Sequence, residues 1–195
     1  MYNLETDEDI LHRQTKMAAL HGLSGFAFYF YWFGGKRLLE TPLQRYLKDD
    51  TIDFPFCLCW ANENWSRRWD GLDSELLISQ NHSPQDDIAF ISHLSQYLTD
   101  PRYIRINGKP LLLVYRPGIL PNAKATSDRW REWCLKNDIG EIYIAYTQGF
   151  VKQNPTKFGF DAAIEFPPNN HHLICLLYTS PSPRDQRGSR MPSSA

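Results

Sequence analysis

Apolar and polar positions alternate along this chain in blocks rather than residue by residue. Thr6-Asp7-Glu8-Asp9 is an acidic helix start, and Ile10, Leu11, Met17 and Ala18 form a helical stripe that Gly22 closes. Gly25 to Phe33 is almost wholly aromatic, which predicts a strand buried on both faces. After Gly34-Gly35 the pattern predicts a helix from Arg37 to Leu47, then a second buried strand from Phe54 to Ala61. Ser83-Pro84 opens a third helix through Leu98. Lys109 to Tyr115 is a third strand, Ala125 to Asn137 a fourth helix, Glu141 to Thr147 a fourth strand and Asp161 to Phe166 a fifth.

Helices alternating with doubly buried strands predict an α/β fold: a parallel sheet with crossover helices. Every strand runs into polar or aromatic residues: Tyr31-Trp32, Asn62-Glu63, Tyr115-Arg116, Tyr146 to Gln148 and Glu165. That layout fits a partial (β/α)8 TIM-type barrel with its site at the C-terminal strand ends. An open doubly wound sheet obeys the same strand-end rule, but usually with a Gly-rich phosphate loop. The sequence has neither Gly-x-Gly-x-x-Gly nor a Walker A pattern, and the barrel is favoured.

The densest chemistry lies in Trp60-Ala61-Asn62-Glu63-Asn64-Trp65-Ser66-Arg67-Arg68-Trp69-Asp70-Gly71. Indoles stack on the C–H faces of sugar rings, Asn and Arg bond hydroxyls, and carboxylates do acid/base work. The substrate-binding candidates are Tyr31, Trp60, Asn62, Glu63, Trp65, Arg67, Arg68, Trp69, Asp70, Tyr115 and Arg116. Glu63 and Glu165 are the catalytic candidates as strand-end carboxylates, since glycosidic chemistry typically uses two. The competing readings are a loop packing its own indoles, and an ion pair of Glu63 with Arg67 or Arg68. Tyr29 is assigned to the core. Glu165, between Ile164 and Phe166, reads as a carboxylate in an apolar setting that needs a partner.

Composition narrows the classes. Forty-two per cent apolar and 14% aromatic residues describe a folded chain, and a net charge of −1 offers no basic excess for nucleic acid. Cys57 and Cys59 are two apart on a strand, a spacing for small buried side chains rather than a metal site. No metal or cofactor is expected. No apolar run is long enough for a membrane span, and the polar start shows no signal-peptide pattern, which points to the cytoplasm.

The last segment is different in kind. Cys175 to Asp185 back-translates to the read-through of a transposase-type sequencing-library adapter, and Ser189 to Ala195 fits its continuation. Residues 175–195 are therefore expected to be an artefactual, disordered tail, and residues 1–174 one partial domain. Without Arg184, Arg187, Arg190 and Asp185 the balance is 18 basic to 21 acidic residues.

Phe28 to Phe33, Gly35 to Glu40, Phe54 to Trp65 and Arg68-Trp69-Asp70-Gly71 resemble the WbsX-type family, the glycoside hydrolase family 99-like domain. Asp100 to Ile104, Gly108 to Pro117 and Phe160 to Pro168 continue the resemblance, which covers about Tyr2 to Asn169. It implies a (β/α)8 barrel in bacterial surface-polysaccharide metabolism, either lipopolysaccharide O-antigen or capsule. Members are labelled glycosyltransferases, and the fold relatives are endo-acting glycoside hydrolases. The implied partners are a glycan or an activated sugar. The resemblance also implies a first strand before Tyr2 and a catalytic carboxylate segment after the point where the adapter-like tail begins. The piece is then expected to be inactive alone. A transferase, a hydrolase and a non-catalytic glycan-binding barrel all remain open at this point.

Overall fold

The computed structural model describes residues 9–67 and 72–166. Its centre is a parallel run of five strands: β1 (Phe26–Phe33), β3 (Phe56–Trp60), β7 (Lys109–Val114), β8 (Tyr143–Thr147) and β9 (Ala162–Ile164). The registers are Phe26↔Phe56, Leu58↔Leu112, Leu111↔Tyr143 and Ala145↔Ala162 at successive interfaces. Spatial order follows chain order without a reversal. A doubly wound sheet would switch direction part-way; sequential order is the arrangement of a partial TIM-type barrel.

Among the described residues, four α-helices accompany the sheet: α1 (Ile10–Leu20), α2 (Thr41–Lys48), α3 (Pro84–Leu98) and α4 (Ala123–Lys136). Ser83 caps α3 by accepting from Asp86 N at 3.0 Å, and Asn122 caps α4 by accepting from Ala125 N at 2.9 Å. Among the described residues, no helix is long and apolar enough to cross a membrane.

Strand parity divides the side chains into two sets. Phe28, Phe30, Phe56 and Trp60 face the helices: Phe28 meets Tyr46 of α2, Phe30 meets Phe90 and Tyr97 of α3, and Trp60 packs between Phe90 and Trp130 of α4. Ala27, Tyr29 and Tyr31 share the opposite face with Cys57, Cys59, Leu111, Leu113, Ala145 and Thr147, as the registers require. Asp87 ties α3 to α4 from a buried position, accepting from Thr126 Oγ1 at 3.0 Å and from Arg129 Nε at 2.8 Å.

The structure corrects the expected outline in four places. Lys36–Leu38 is a strand, β2, antiparallel to the end of β1, so the second helix starts at Thr41 rather than Arg37. Gly34 and Gly35 have φ of 56° and 92°, the two positive values that a tight hairpin turn needs. The stretch after Trp60 is not one loop: β4 (Trp65–Arg67) pairs antiparallel with β5 (Leu72–Ile78). Arg105–Ile106 forms a short β6 against β7, turned by Asn107 and Gly108 with φ of 51° and 80°. Finally, β1 is not buried on both faces. Tyr29 keeps 46% of its surface exposed, because the helices cover only the Phe28/Phe30 side.

Candidate glycan site at the strand ends

The site grows from the ends of β1, β3, β7 and β8. On the face away from the helices, rings follow one another across the sheet. Trp65 meets Tyr31 at 5.3 Å, Tyr31 stacks on Tyr29 at 6.2 Å, and Tyr29 meets Tyr115 edge-on at 6.0 Å. Tyr115 then meets Phe150 at 5.4 Å and Phe166 at 5.7 Å. The result is an aromatic arc from the β4 hairpin to the segment after β9.

A charged pair sits beside the arc. The Arg116 guanidinium donates through Nη1 to Glu63 Oε1, and the two side chains are 27% and 31% exposed. Arg116 also lies over the Phe150 ring at 4.1 Å. Among the described side chains the Glu63 partner is thus Arg116; Arg68 and the side chain of Arg67, the partners weighed from the sequence, lie outside the described residues. The two strand ends meet in space, although 53 residues separate them along the chain.

Both β1 phenols stay protonated at neutral pH. Burial first, then the neighbouring Cys59 thiol, Tyr115, Tyr31 and Glu63, push Tyr29 up to about 12. Burial raises Tyr31 as well, helped by Cys59 and Tyr115. Burial likewise pushes the Cys57 and Cys59 thiols up to about 12, so they pack as inert small side chains. The site therefore offers neutral phenols, aromatic faces, the Arg116 guanidinium and the Glu63 carboxylate: groups suited to hydroxyls and C–H faces.

Several expected residues land elsewhere. Trp60 is 1% exposed and belongs to the helix-facing core, so it offers no face to a ligand. Asn62 is fully buried, and its amide is committed to the Arg116 backbone: Nδ2 donates to Arg116 O at 2.9 Å, and Oδ1 accepts from Arg116 N at 2.8 Å. Glu165 is exposed rather than held in an apolar setting, because the chain leaves the sheet after Ile164. Tyr31, Glu63, Trp65, Tyr115 and Arg116 are brought together. Arg67 ends β4, with its backbone paired to Leu72. Arg68, Trp69 and Asp70 lie outside the described residues, as do residues 167–195 with the adapter-like tail. Three participants are absent from the sequence-based candidates: Tyr29, Phe150 and Phe166. Gln148-Gly149-Phe150 directly after a strand is a legible signal for Phe150.

A solved structure described as a glycoside hydrolase-like protein has the same fold, with a TM-score of 0.59 at 16% identity over 85% of this chain and 52% of that one. Two curated proteins from Xanthomonas campestris pv. campestris strains, each described as "Uncharacterized protein WxcX", are 54% identical over 168 residues. The match covers 86% of this chain and 24% of each relative, so the chain spans about a quarter of their length. The family model described as "Glycosyltransferase WbsX" matches residues 1–191, a range that runs past Cys175. The chain belongs to the WbsX glycosyltransferase family.

Proposed function

We propose that this chain builds one side of a glycan site in an enzyme acting on glycosidic bonds in bacterial surface-polysaccharide metabolism, in the cytoplasm. The observation that carries the reading is the arc Trp65–Tyr31–Tyr29–Tyr115–Phe150, which runs beside the Arg116–Glu63 pair at the strand ends. Ring faces pack against sugar C–H surfaces. The Arg116 guanidinium donates to sugar hydroxyls, and Glu63 accepts from them. Family membership and the glycoside hydrolase-like fold support a carbohydrate ligand.

Glu63 already accepts from Arg116, which suits it to binding better than to delivering a proton. Glu165 is exposed, just past the end of β9. On this reading the described residues bind and orient, and the expected acid/base pair of the family is not among them. A transferase would add an activated donor, whose phosphates suit Arg67, Arg68 or Arg116. A hydrolase needs only glycan and water.

The test is a titration of the protein with manno-, malto- and cello-oligosaccharides and with nucleotide sugars, read by Trp fluorescence. Trp65→Ala and Tyr29→Ala should each weaken binding about tenfold or more, in line with loss of a stacked ring. Native-like stability with unchanged affinity in both variants would refute the site. A response to nucleotide sugars alone would select the transferase.

A further inference from the structure

Two buried polar side chains sit at the strand ends, and both direct their hydrogen bonds to one dipeptide. Asn62 follows β3 with no exposed surface, and it brackets the Arg116 backbone with a donor at 2.9 Å and an acceptor at 2.8 Å. Thr147 ends β8 at 1% exposure, and its Oγ1 donates to Tyr115 O at 2.9 Å. The last regular rung between β3 and β7 is Tyr115 N to Trp60 O at 3.0 Å. Beyond that rung, side chains from both flanks bond the backbone of Tyr115 and Arg116.

The choice of residues is unfavourable unless the geometry is needed. Val would fill the Thr147 volume, suit a strand, and avoid burying a hydroxyl. A fully buried Asn likewise needs every bond it makes. Both residues act on Tyr115-Arg116, whose ring continues the aromatic arc and whose guanidinium meets Glu63 and Phe150.

We propose that Thr147 and Asn62 are positioning residues of the glycan site: the pair clamps the Tyr115–Arg116 strand end from β8 and β3, and so presets the ring and guanidinium. This rests on the reading of the strand ends as a glycan site. Asn62 accordingly acts through Arg116 and touches no sugar. Preset donors bind better than mobile ones because less freedom is lost on binding.

The experiment compares Thr147→Val, Thr147→Ser and Asn62→Asp in this chain. One readout is the Arg116 Nε–Hε signal in 15N NMR, assigned through Arg116→Lys. The other is mannotetraose affinity by Trp fluorescence. Thr147→Val should broaden or shift the Arg116 signal and weaken affinity about three- to tenfold, the span of one hydrogen bond. Thr147→Ser, which keeps the hydroxyl, should restore both. Asn62→Asp keeps the acceptor for Arg116 N but loses the donor, and should reproduce the Val effect if Thr147→Val fails to fold. An unchanged Arg116 signal and affinity in Thr147→Val, whatever its melting temperature, would overturn the clamp. If wild type binds no oligosaccharide, the glycan reading falls, and the Arg116 signal alone still decides the clamp.

Discussion

Arg102 holds one corner of the fold through six side-chain hydrogen bonds. Its guanidinium donates to Tyr46 O at 3.2 Å, Leu47 O at 3.2 Å, Asp49 O at 2.8 Å and Ile52 O at 2.9 Å. It also forks onto Asp100, with Nε to Oδ1 at 3.0 Å and Nη2 to Oδ2 at 2.8 Å. Both side chains are 11% exposed. The carbonyls belong to the end of α2 and to the turn leading to β3, where a helix leaves acceptors without intrahelical donors. Arg102→Leu therefore strands a carboxylate and up to four carbonyls together. Removing one partner of a buried pair costs about 3–5 kcal/mol. Water reaching the freed carbonyls would keep the loss near the lower end. At roughly 2–4 °C per kcal/mol for a chain of this size, the melting temperature should fall by about 6–20 °C. Thermal and urea unfolding of Arg102→Leu measure it, and Asp100→Asn in the same background should recover part of the loss. A fall below about 1 kcal/mol, with no recovery in the double variant, would refute the assignment of Arg102 as the hub of this corner.

Three further outcomes are expected. Burial, with Arg37 beside it, holds His93 below the ordinary histidine range, and the Arg37 donor at 2.7 Å requires an unprotonated Nε2. Glu40 opposes this shift. The unfolded chain therefore binds the proton first, so this stability is present above about pH 6.5 and is lost as pH falls below it. The drop in melting temperature from pH 7.5 to 5.5 should shrink in His93→Gln, and an equal drop would refute it. A Cβ at Gly25 would lie 2.7 Å from Pro55 O and 2.9 Å from Ile104 Cδ1, so Gly25→Ala should destabilise by about 1–3 kcal/mol in urea unfolding. Residues 1–174 are proposed to hold the whole described fold, so deleting 175–195 should leave the melting temperature unchanged, and a loss of several degrees would refute the adapter reading of the tail.

Element type is legible in the sequence where burial or capping leaves a local mark. Phe56–Trp60 is buried at every position, and a continuous apolar run is how such a strand reads. Ser83-Pro84 announces α3 to the residue, since the Ser83 hydroxyl caps the helix. The short hairpins are not legible by periodicity, because two or three residues carry too little of it. Asn107-Gly108 does carry the turn signal, and Gly34-Gly35 carries it before β2.

Which face a residue serves is harder to read, for a physical reason. A strand whose alternating residues are all apolar or aromatic has parity but no sign: nothing local says which set meets the helices. Tyr29, a core residue by sequence, stands 46% exposed in the middle of the aromatic arc, while Trp60, a site residue by sequence, lies sealed against Phe90. The sign comes from α3 and α4, which pack on the Phe30 and Trp60 side. The stretch from Trp60 to Trp65 carries the same ambiguity into the site. One run of aromatic and polar residues, compositionally a single sugar loop, is cut by the end of β3 into different jobs. Trp60 fills the helix-facing core, Asn62 closes the gap between strand ends, Glu63 meets Arg116, and Trp65 begins a new hairpin against Tyr31. Each job is set by where a residue falls relative to the last ladder rung. Register at a strand end, rather than composition of the loop, therefore separates the residues that can meet a ligand from those that hold them in place.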